Sequence, residues 1–274
     1  MADPTKTSCV QETYTLTLTP ESATIEPGKK YLFTATVTKQ GDSAPSKQVP
    51  VNVKVEVDTT SGGHAHGEPP TRPKGSVTPA TGNNTFEITF TATEVSGIHT
   101  ITATCDECTN SPKKSKVEVK VKEADAAGWD SLSESPSDYE LIGGGEGKNH
   151  HDNHYLTETA QKNLLAIVRK YNKKYPEGPV LHLNDASLVW GGKFDISGKW
   201  VGYHYEHLRG KEIDIRANQE PTAISFWRFN RFKKIASDNG ASASVHCGFP
   251  KEYSWACWFD LRENRHFHVR LTGR

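Results

Sequence analysis

The first 122 residues are patterned by alternating apolar and polar side chains. Short runs of this kind recur six or seven times, separated by turn signals such as Pro27-Gly28 and Gly41-Asp42. Their apolar members are Tyr14, Leu16, Leu18, Tyr31, Phe33, Ala35, Val37, Val49, Val51, Val53, Val55, Val57, Phe86, Ile88, Phe90, Ala92, Val117, Val119 and Val121, with a further run over residues 98–104. Because successive side chains of a strand point to opposite faces, this period predicts half-buried strands.

Six or seven short strands in such a length are typical of a β-sandwich. The pattern resembles immunoglobulin-like domains, but the Cys…Trp…Cys core of antibody domains is absent. The resemblance is therefore to bacterial immunoglobulin-like modules, which commonly act as spacers or adhesion units on exported proteins. We predict an all-β immunoglobulin-like sandwich for the N-terminal part.

The C-terminal half mixes helical and strand periods. Two segments carry apolar residues at helical spacing and predict helices over residues 157–174 and 222–237. Thr157 is a suitable N-cap for the first helix, and Asn239-Gly240 is a suitable end for the second. Strands are predicted at residues 180–183, 212–216 and 266–271. Two helices beside a small antiparallel sheet make this half an α+β domain.

The stretch between the two halves has the composition of a linker. It contains a serine-rich run at residues 131–137 and, shortly after it, three consecutive glycines. The predicted parts are the sandwich at 1–122, a linker at 123–140 and the α+β domain at 141–274. The linker also predicts that a fragment starting near residue 126 folds alone.

A loop rich in glycine and proline interrupts the N-terminal part at residues 61–70. It carries His64 and His66, whose spacing suits a shared metal or a contact with the C-terminal domain. A solvated loop with exposed imidazoles is the simpler interpretation, and we favour it.

Composition and charge exclude several classes of partner. The 274 residues are 34% hydrophobic and 24% charged, with a formal net charge of +0, so no global field attracts nucleic acid or an anionic membrane. No apolar run approaches the roughly 20 residues that cross a bilayer. We expect no nucleic-acid partner and no membrane span, and the oligomeric state stays open.

The five cysteines bear on the compartment. Cys105 and Cys108 have no second Cys-x-x-Cys to complete a metal site, so a small disulfide loop is favoured. Cys247 and Cys257 flank a turn-rich segment and are candidates for a second bridge. Since disulfides persist in oxidising compartments, we expect an exported protein, periplasmic or extracellular. The N-terminal residues lack a signal peptide, so a removed signal, another export route and a cytosolic protein stay open.

Candidate chemistry concentrates on two predicted strands of the C-terminal half. Polar and apolar residues alternate on the strand that contains Asp214 and on the strand that contains His268. If these strands are neighbours, the two side chains stand side by side, and Gly210 lets the chain turn towards them from His207. Two imidazoles and one carboxylate suit a catalytic zinc, which keeps a fourth position for water. His207, Asp214 and His268 are therefore the candidate metal ligands.

The order of these residues resembles that of the zinc peptidases that cut peptidoglycan peptides. The matching motifs are His-x-x-Gly-x-x-x-Asp, from His207 to Asp214, and the C-terminal His266-x-His268. The family includes the D-Ala-D-Ala carboxypeptidases and the penicillin-insensitive murein endopeptidases, and it shares a fold with the hedgehog amino-terminal domain. The resemblance covers roughly residues 140–274.

The murein endopeptidase branch is the more similar of the two. His204 precedes His207 by three residues, and Gly191-Gly192 resembles the segment before the first ligand of that branch. Three departures from the family stand out: Tyr205-Glu206 replaces a small residue, Trp190 replaces a basic one, and the interval between the last two ligands is short. The bond cleaved, and the choice between endopeptidase and carboxypeptidase, therefore stay open.

The resemblance implies a zinc metallopeptidase that hydrolyses amide bonds in peptidoglycan stem peptides or cross-links, with Zn²⁺ as cofactor. A general base would take a proton from water and pass it to the leaving amine. The implied residues are His207, Asp214 and His268 as metal ligands, His266, Glu263 and His204 in catalysis, and Asp185, Ser187 and Arg270 as substrate contacts. Among the catalytic residues, His266 is the leading candidate for the base and Glu263 is second.

Other classes of protein share these features. One is a non-catalytic zinc-containing protein that binds the cell wall or acts as an adhesin. Another is an effector that targets the peptidoglycan of a rival cell. Release of amines or D-Ala from purified sacculi, abolished by a chelator, separates the enzyme from the binding proteins.

Overall fold

The architecture is that of a computed structural model of the chain. It describes residues 12–41, 44–64, 71–122, 124, 129–143, 152–193, 195, 200, 207–217, 224–246 and 265–272. The chain divides into two compact units. The first comprises residues 1–58, 74–93 and 98–119, and the second comprises residues 59–73, 94–97 and 120–274.

The described residues of the first unit form nine strands in two sheets. The strands are β1 Tyr14–Thr19, β2 Ser22–Ile25, β3 Lys30–Lys39, β4 Pro50–Val57, β5 Ser76–Thr78, β6 Thr81–Asn83, β7 Thr85–Thr91, β8 Gly97–Thr104 and β9 Lys113–Val119. One sheet has the order β1-β3-β7-β5 and the other has the order β2-β9-β8-β4-β6. The two sheets share one apolar core, to which Leu16, Phe33, Val51 and Val117 contribute fully buried side chains.

The strand predictions for this unit are confirmed wherever the alternation is long. Strands β2, β5 and β6 were not predicted, because each has only three or four residues and few apolar side chains. Cys105 and Cys108 form the predicted disulfide. The unit is all-β, whereas its immunoglobulin-like character stays a prediction.

The second unit combines strands with two α-helices among its described residues. Its elements are β10 Asp130–Ser131, β11 Tyr139–Leu141, β12 Tyr155–Leu156, α1 Glu158–Lys174, β13 Leu181–Leu183, β14 Glu212–Arg216, α2 Phe229–Ser237, β15 Ser242–His246 and β16 His266–Arg270. Five strands form a sheet in the order β11-β13-β14-β16-β15, and β10 pairs with β12. Strands β11 and β13 are parallel, and the other pairings of this sheet are antiparallel.

Both helices contribute to a core with one face of the five-stranded sheet. Helix α1 begins as predicted after Thr157, whose hydroxyl accepts a hydrogen bond from the N–H of Ala160 at 3.3 Å. Helix α2 begins at Phe229, later than predicted, after a short 3₁₀ turn at Phe226–Arg228; residues 218–223 lie outside the described part. In the part of the chain that the structure describes, no helix has the length and apolarity to span a membrane.

Apolar side chains that alternate along the central strands form the sheet's share of this core. The core residues from both helices and the sheet include Leu164, Val168, Leu183, Ile213, Ile215, Phe229, Phe232, Phe267 and Val269. The polar residues between them on β14 and β16 therefore belong to the other face of the sheet.

The described residues of the predicted linker, 124 and 129–140, take part in the hydrogen bonding of the second unit. Strand β10 pairs with β12, and the N–H of Leu132 donates to the carbonyl of His154 at 3.0 Å. A serine-rich composition does not prevent this pairing, because the hydrogen bonds of a strand come from the backbone. The structure thus places the predicted linker inside the second unit, together with residues 59–73 and 94–97.

We expect a fragment spanning residues 123–274 to be much less stable than the full chain. It lacks residues 59–73, 94–97 and 120–122 of the second unit, and with them the buried side chains of Arg72 and Ser96. Circular dichroism during heating should show a lower or absent unfolding transition for the fragment. Co-expression with residues 1–122 as a separate chain should restore the transition. A fragment that melts at the temperature of the full chain would contradict this expectation.

Candidate metal centre

Strands β14 and β16 bring two of the predicted ligands together. They pair antiparallel in a register that places Asp214 opposite His268 and Glu212 opposite Arg270. His266 lies on the same face of β16, two residues from His268. The prediction that Asp214 and His268 stand side by side is confirmed, and a polar row lies on the sheet face opposite the helices.

His207 reaches this row from a turn that comes before β14. Gly210 ends the turn with a φ of +61°, a left-handed conformation that favours glycine. The ring of Trp129 packs so closely on Gly210 that an added Cβ would lie 2.7 Å from it. The carbonyl of Gly210 accepts from the N–H of Thr157 at 2.8 Å, so the turn is tied to the start of α1. The role predicted for Gly210 is confirmed.

The three side chains converge on one point. Nε2 of His207 lies 3.5 Å from Oδ2 of Asp214, and Nδ1 of His268 lies 3.1 Å from Oδ1 of Asp214. One ligand atom from each residue lies within 4.8 Å of the others. Zinc bonds of about 2.0 Å at tetrahedral angles set ligand atoms roughly 3.3 Å apart. The donor types suit a zinc ion, and the two distances to Asp214 are close to this value.

Burial and charge act in opposite directions on the pKa values of this cluster. Burial alone would raise the pKa of Asp214, but the imidazoles of His207 and His268 hold it well below its ordinary value. Burial alone would lower the pKa of His268, but the carboxylates of Asp214 and Glu212 raise it to about 9. The site thus favours a positive charge beside Asp214. A divalent cation meets the same requirement with its imidazole ligands neutral.

Glu212 supports His268 from the outer side. Its Oε2 lies 3.4 Å from Nε2 of His268, the ring nitrogen on the far side from Asp214. Arg270 fixes the other carboxylate oxygen, because its Nε donates to Oε1 of Glu212 at 2.6 Å. A carboxylate behind a ligating histidine is the usual outer support of a protein metal site, since it orients the ring.

His266 lies beside the cluster and is more accessible than its members. Its Nε2 is 3.4 Å from Oδ2 of Asp214, and its side chain is 26% exposed, against 2% for Asp214. The ring is therefore partly accessible to solvent. The other two predicted catalytic residues, His204 and Glu263, lie outside the described residues.

Of the predicted substrate contacts, Asp185 is bonded to a member of the cluster, whereas Ser187 is buried and Arg270 is accessible. The carbonyl of Asp185 accepts from the N–H of Asp214 at 2.8 Å, and its carboxylate accepts from the side-chain amide of Asn153. Ser187 is fully buried, so it does not reach a surface where a substrate binds. Arg270, the third, is about half exposed at the end of the polar row, with its side chain 49% accessible.

One histidine of the polar row was not predicted from the sequence. His246, on β15, lies opposite His266, and its ring centroid is 5.7 Å from that of His266 and 5.3 Å from that of His268. Oγ of Ser244 is 3.1 Å from its Nε2. The alternation of residues 242–246 was a usable signal, although serine and alanine make it weak.

The expectation of an exposed His64 is wrong. The side chain is 1% exposed and its ring centroid lies 5.4 Å from that of Trp200, within the second unit. The reason is that its segment, residues 59–64, packs inside this unit and is not a solvated loop. His66 and the candidate bridge between Cys247 and Cys257 lie outside the described residues.

No protein-family model matches the chain, and no curated protein matches it. Among solved structures, it is similar to domains 4 and 5 of the S-layer protein SbsC, at 20% identity over 39% of this chain and 46% of that chain, with a TM-score of 0.27. It is also similar to the Escherichia coli adhesin FdeC, at 12% identity over 47% of this chain and 37% of that chain, with a TM-score of 0.25. The match spans less than half of either structure, and such TM-scores carry no argument about function.

We expect Gly210→Ala to destabilise the protein more than Gly240→Ala. Both glycines have left-handed φ values, +61° and +72°, where alanine costs roughly 1–2 kcal/mol. Only Gly210 faces Trp129, and this steric conflict adds about 1–3 kcal/mol. Gly240 has no atom within 4 Å of an added Cβ, so it is the matched control. Equal losses of unfolding free energy in urea titrations would contradict the packing argument.

Proposed function

We propose that the chain is a zinc-dependent peptidase that hydrolyses amide bonds in peptidoglycan stem peptides or cross-links. The observation that carries the proposal is the convergence of His207, Asp214 and His268 on one point of a buried polar row. The order of these residues along the chain, with the terminal His-x-His, supplies the substrate class by resemblance. An exported location is part of the proposal, and the disulfide between Cys105 and Cys108 supports it.

The metal would be held by His207, Asp214 and His268. Zinc bound there supplies a Lewis acid for the scissile carbonyl and lowers the pKa of a bound water towards about 7. The surrounding protein contributes orientation: Glu212 lies behind the ring of His268, and the turn at Gly210 fixes the approach of His207.

His266 is the residue that moves the proton. Its ring stands on the same strand face as His268, beside Asp214, and is accessible where the ligands are not. A neutral imidazole there accepts a proton from the attacking water and returns it to the nitrogen of the leaving amine. The ring of His246, on β15, lies beside the ring of His266, with 5.7 Å between the two centroids.

Arg270 is suited to a carboxylate of the substrate. Its Nε is engaged by Glu212, which orients the guanidinium, and about half of the side chain is accessible. A guanidinium can bind a carboxylate through two parallel hydrogen bonds, which gives direction as well as charge. The carboxyl groups of stem peptides are ligands of this kind.

The metal assignment predicts about one zinc per chain. His207→Ala, Asp214→Ala and His268→Ala should each lose it, because each removes one of three donors. His182→Ala is the control, since His182 lies on the neighbouring strand β13 and pairs with Glu140 at 3.2 Å, outside the cluster. Elemental analysis of dialysed protein measures the zinc content. Full occupancy in all three ligand variants would refute the site.

The base assignment predicts that His266→Ala keeps zinc and loses turnover. Removal of a general base typically costs on the order of 10² to 10⁴ in rate. Release of new amines from purified sacculi measures turnover, and a chelator should abolish it. Glu263→Ala is the comparison and should be milder. An inactive Glu263→Ala beside a near-normal His266→Ala would transfer the base to Glu263, and loss of zinc from His266→Ala would make His266 a ligand.

A further inference from the structure

The segment Glu94–Gly97, which we call the strap, belongs to the second unit although the strands on both sides of it belong to the first. Val95 forms an antiparallel bridge with Gly192, and the N–H of Lys193 donates to the carbonyl of Glu94 at 2.9 Å. The buried hydroxyl of Ser96 donates to the carbonyl of Gly191 at 2.6 Å. The strap is therefore bonded along residues 191–193.

Those residues are bonded in turn to the segment that carries a candidate ligand. The N–H of Gly192 donates to the carbonyl of Leu208 at 3.0 Å, and Leu208 follows His207 directly. A Cβ at Gly191 would lie 2.6 Å from the same carbonyl oxygen. Hydrogen bonds thus connect the strap to Gly191 and Gly192, which we call the glycine pair, and connect the glycine pair to the turn that carries His207.

The close spacing of these segments leaves little room for adjustment. Gly191 and Gly192 both have left-handed φ values, +62° and +74°, and a Cβ at Gly192 would lie 3.0 Å from the carbonyl oxygen of Glu94. On its other side the strap is fixed by Arg72, which is 2% exposed and whose Nη2 donates to the carbonyls of Ser61 and Ser96 at 3.0 and 3.3 Å. A displacement of the strap must therefore move the glycine pair.

We propose that the strap holds His207 in its metal-binding position and that Ser96 is the positioning residue through which it does so. The inference rests on the proposed function, because it assigns His207 to a metal. Loss of the Ser96 hydroxyl leaves the buried carbonyl of Gly191 without this donor. The glycine pair then shifts, and the turn that presents His207 shifts with it.

The test is metal affinity, measured on the full chain. Zinc dissociation constants come from competition with a chromophoric chelator, and the d–d absorption of bound Co²⁺ reports ligand geometry. Ser96→Ala should weaken zinc binding about tenfold, the lower end of the effect of outer supports on metal sites, and should alter the Co²⁺ spectrum. Ser96→Thr keeps the hydroxyl and should restore both.

Ser115→Ala is the matched control. Ser115 is also buried and also donates to a backbone carbonyl, that of Pro20 at 2.8 Å, but it lies in the first unit. It should lower the melting temperature without changing the zinc dissociation constant. If Ser96→Ala behaves in the same way, Ser96 is merely structural and the inference is overturned.

A second variant keeps the test decisive if Ser96→Ala folds poorly. Glu94→Ala removes the ion pair between Glu94 and Nζ of Lys193, which are 2.9 Å apart at the accessible end of the strap. Zinc binding should weaken about two- to fivefold, as expected for a surface ion pair. An unchanged constant in this variant counts against the strap. A wild-type chain that binds neither zinc nor Co²⁺ would instead refute the proposed function itself.

Discussion

The register between β14 and β16 is the constraint on which the candidate site depends. With Asp214 opposite His268, every polar residue of the two strands lies on one face and every apolar residue lies in the core. A slip of one residue would reverse both faces, burying the carboxylates among Phe267 and its neighbours and exposing the apolar side chains. The hydrophobic effect that forms the core therefore also fixes Asp214 and His268, two of the three candidate ligands.

The polar row is nevertheless costly, because it takes ionisable groups out of water. Asp214 and Glu212 are almost fully buried, and such groups stay ionised only beside compensating charge. His268 stands between the two carboxylates, and Arg270 closes the row at its accessible end. An apolar cluster of similar volume would stabilise the fold at least as well as two carboxylates around an imidazole. The place of these charged groups in the interior is the reason why their cluster is the candidate metal centre of this chain.

Much of this site could be predicted from the sequence, for a local reason. Alternation along each strand shows which residues share a face, so Asp214 and His268 could be placed on the polar faces of their strands while the pairing of these strands stayed an assumption. Which strands are neighbours in the sheet is not a local property of the sequence, because it depends on contacts between residues far apart in the chain. His246 on β15 was missed because its own strand carries only small residues between the polar ones.

The two early segments of the second unit, residues 59–73 and 94–97, could not be predicted. Arg72 and Ser96 are polar residues in segments between strands, and nothing local in the sequence marks them for burial. They are buried because the fold places backbone carbonyls within reach of their side chains. His64 is the same case: its glycine-rich surroundings predict exposure, but its position against Trp200 depends on a chain segment more than a hundred residues away.

The three candidate ligands are not held in place equally firmly. Asp214 and His268 lie on central strands, where backbone hydrogen bonds and core packing leave one conformation. His207 lies on a turn, and a turn is held only by the contacts around it, so it is the least constrained of the three. Trp129 and Thr157 fix the end of this turn at Gly210, and the glycine pair fixes its start at Leu208. Because the glycine pair is itself bonded to the strap, we expect the geometry of the candidate metal site to depend on four residues that precede His207 in the chain by more than a hundred positions.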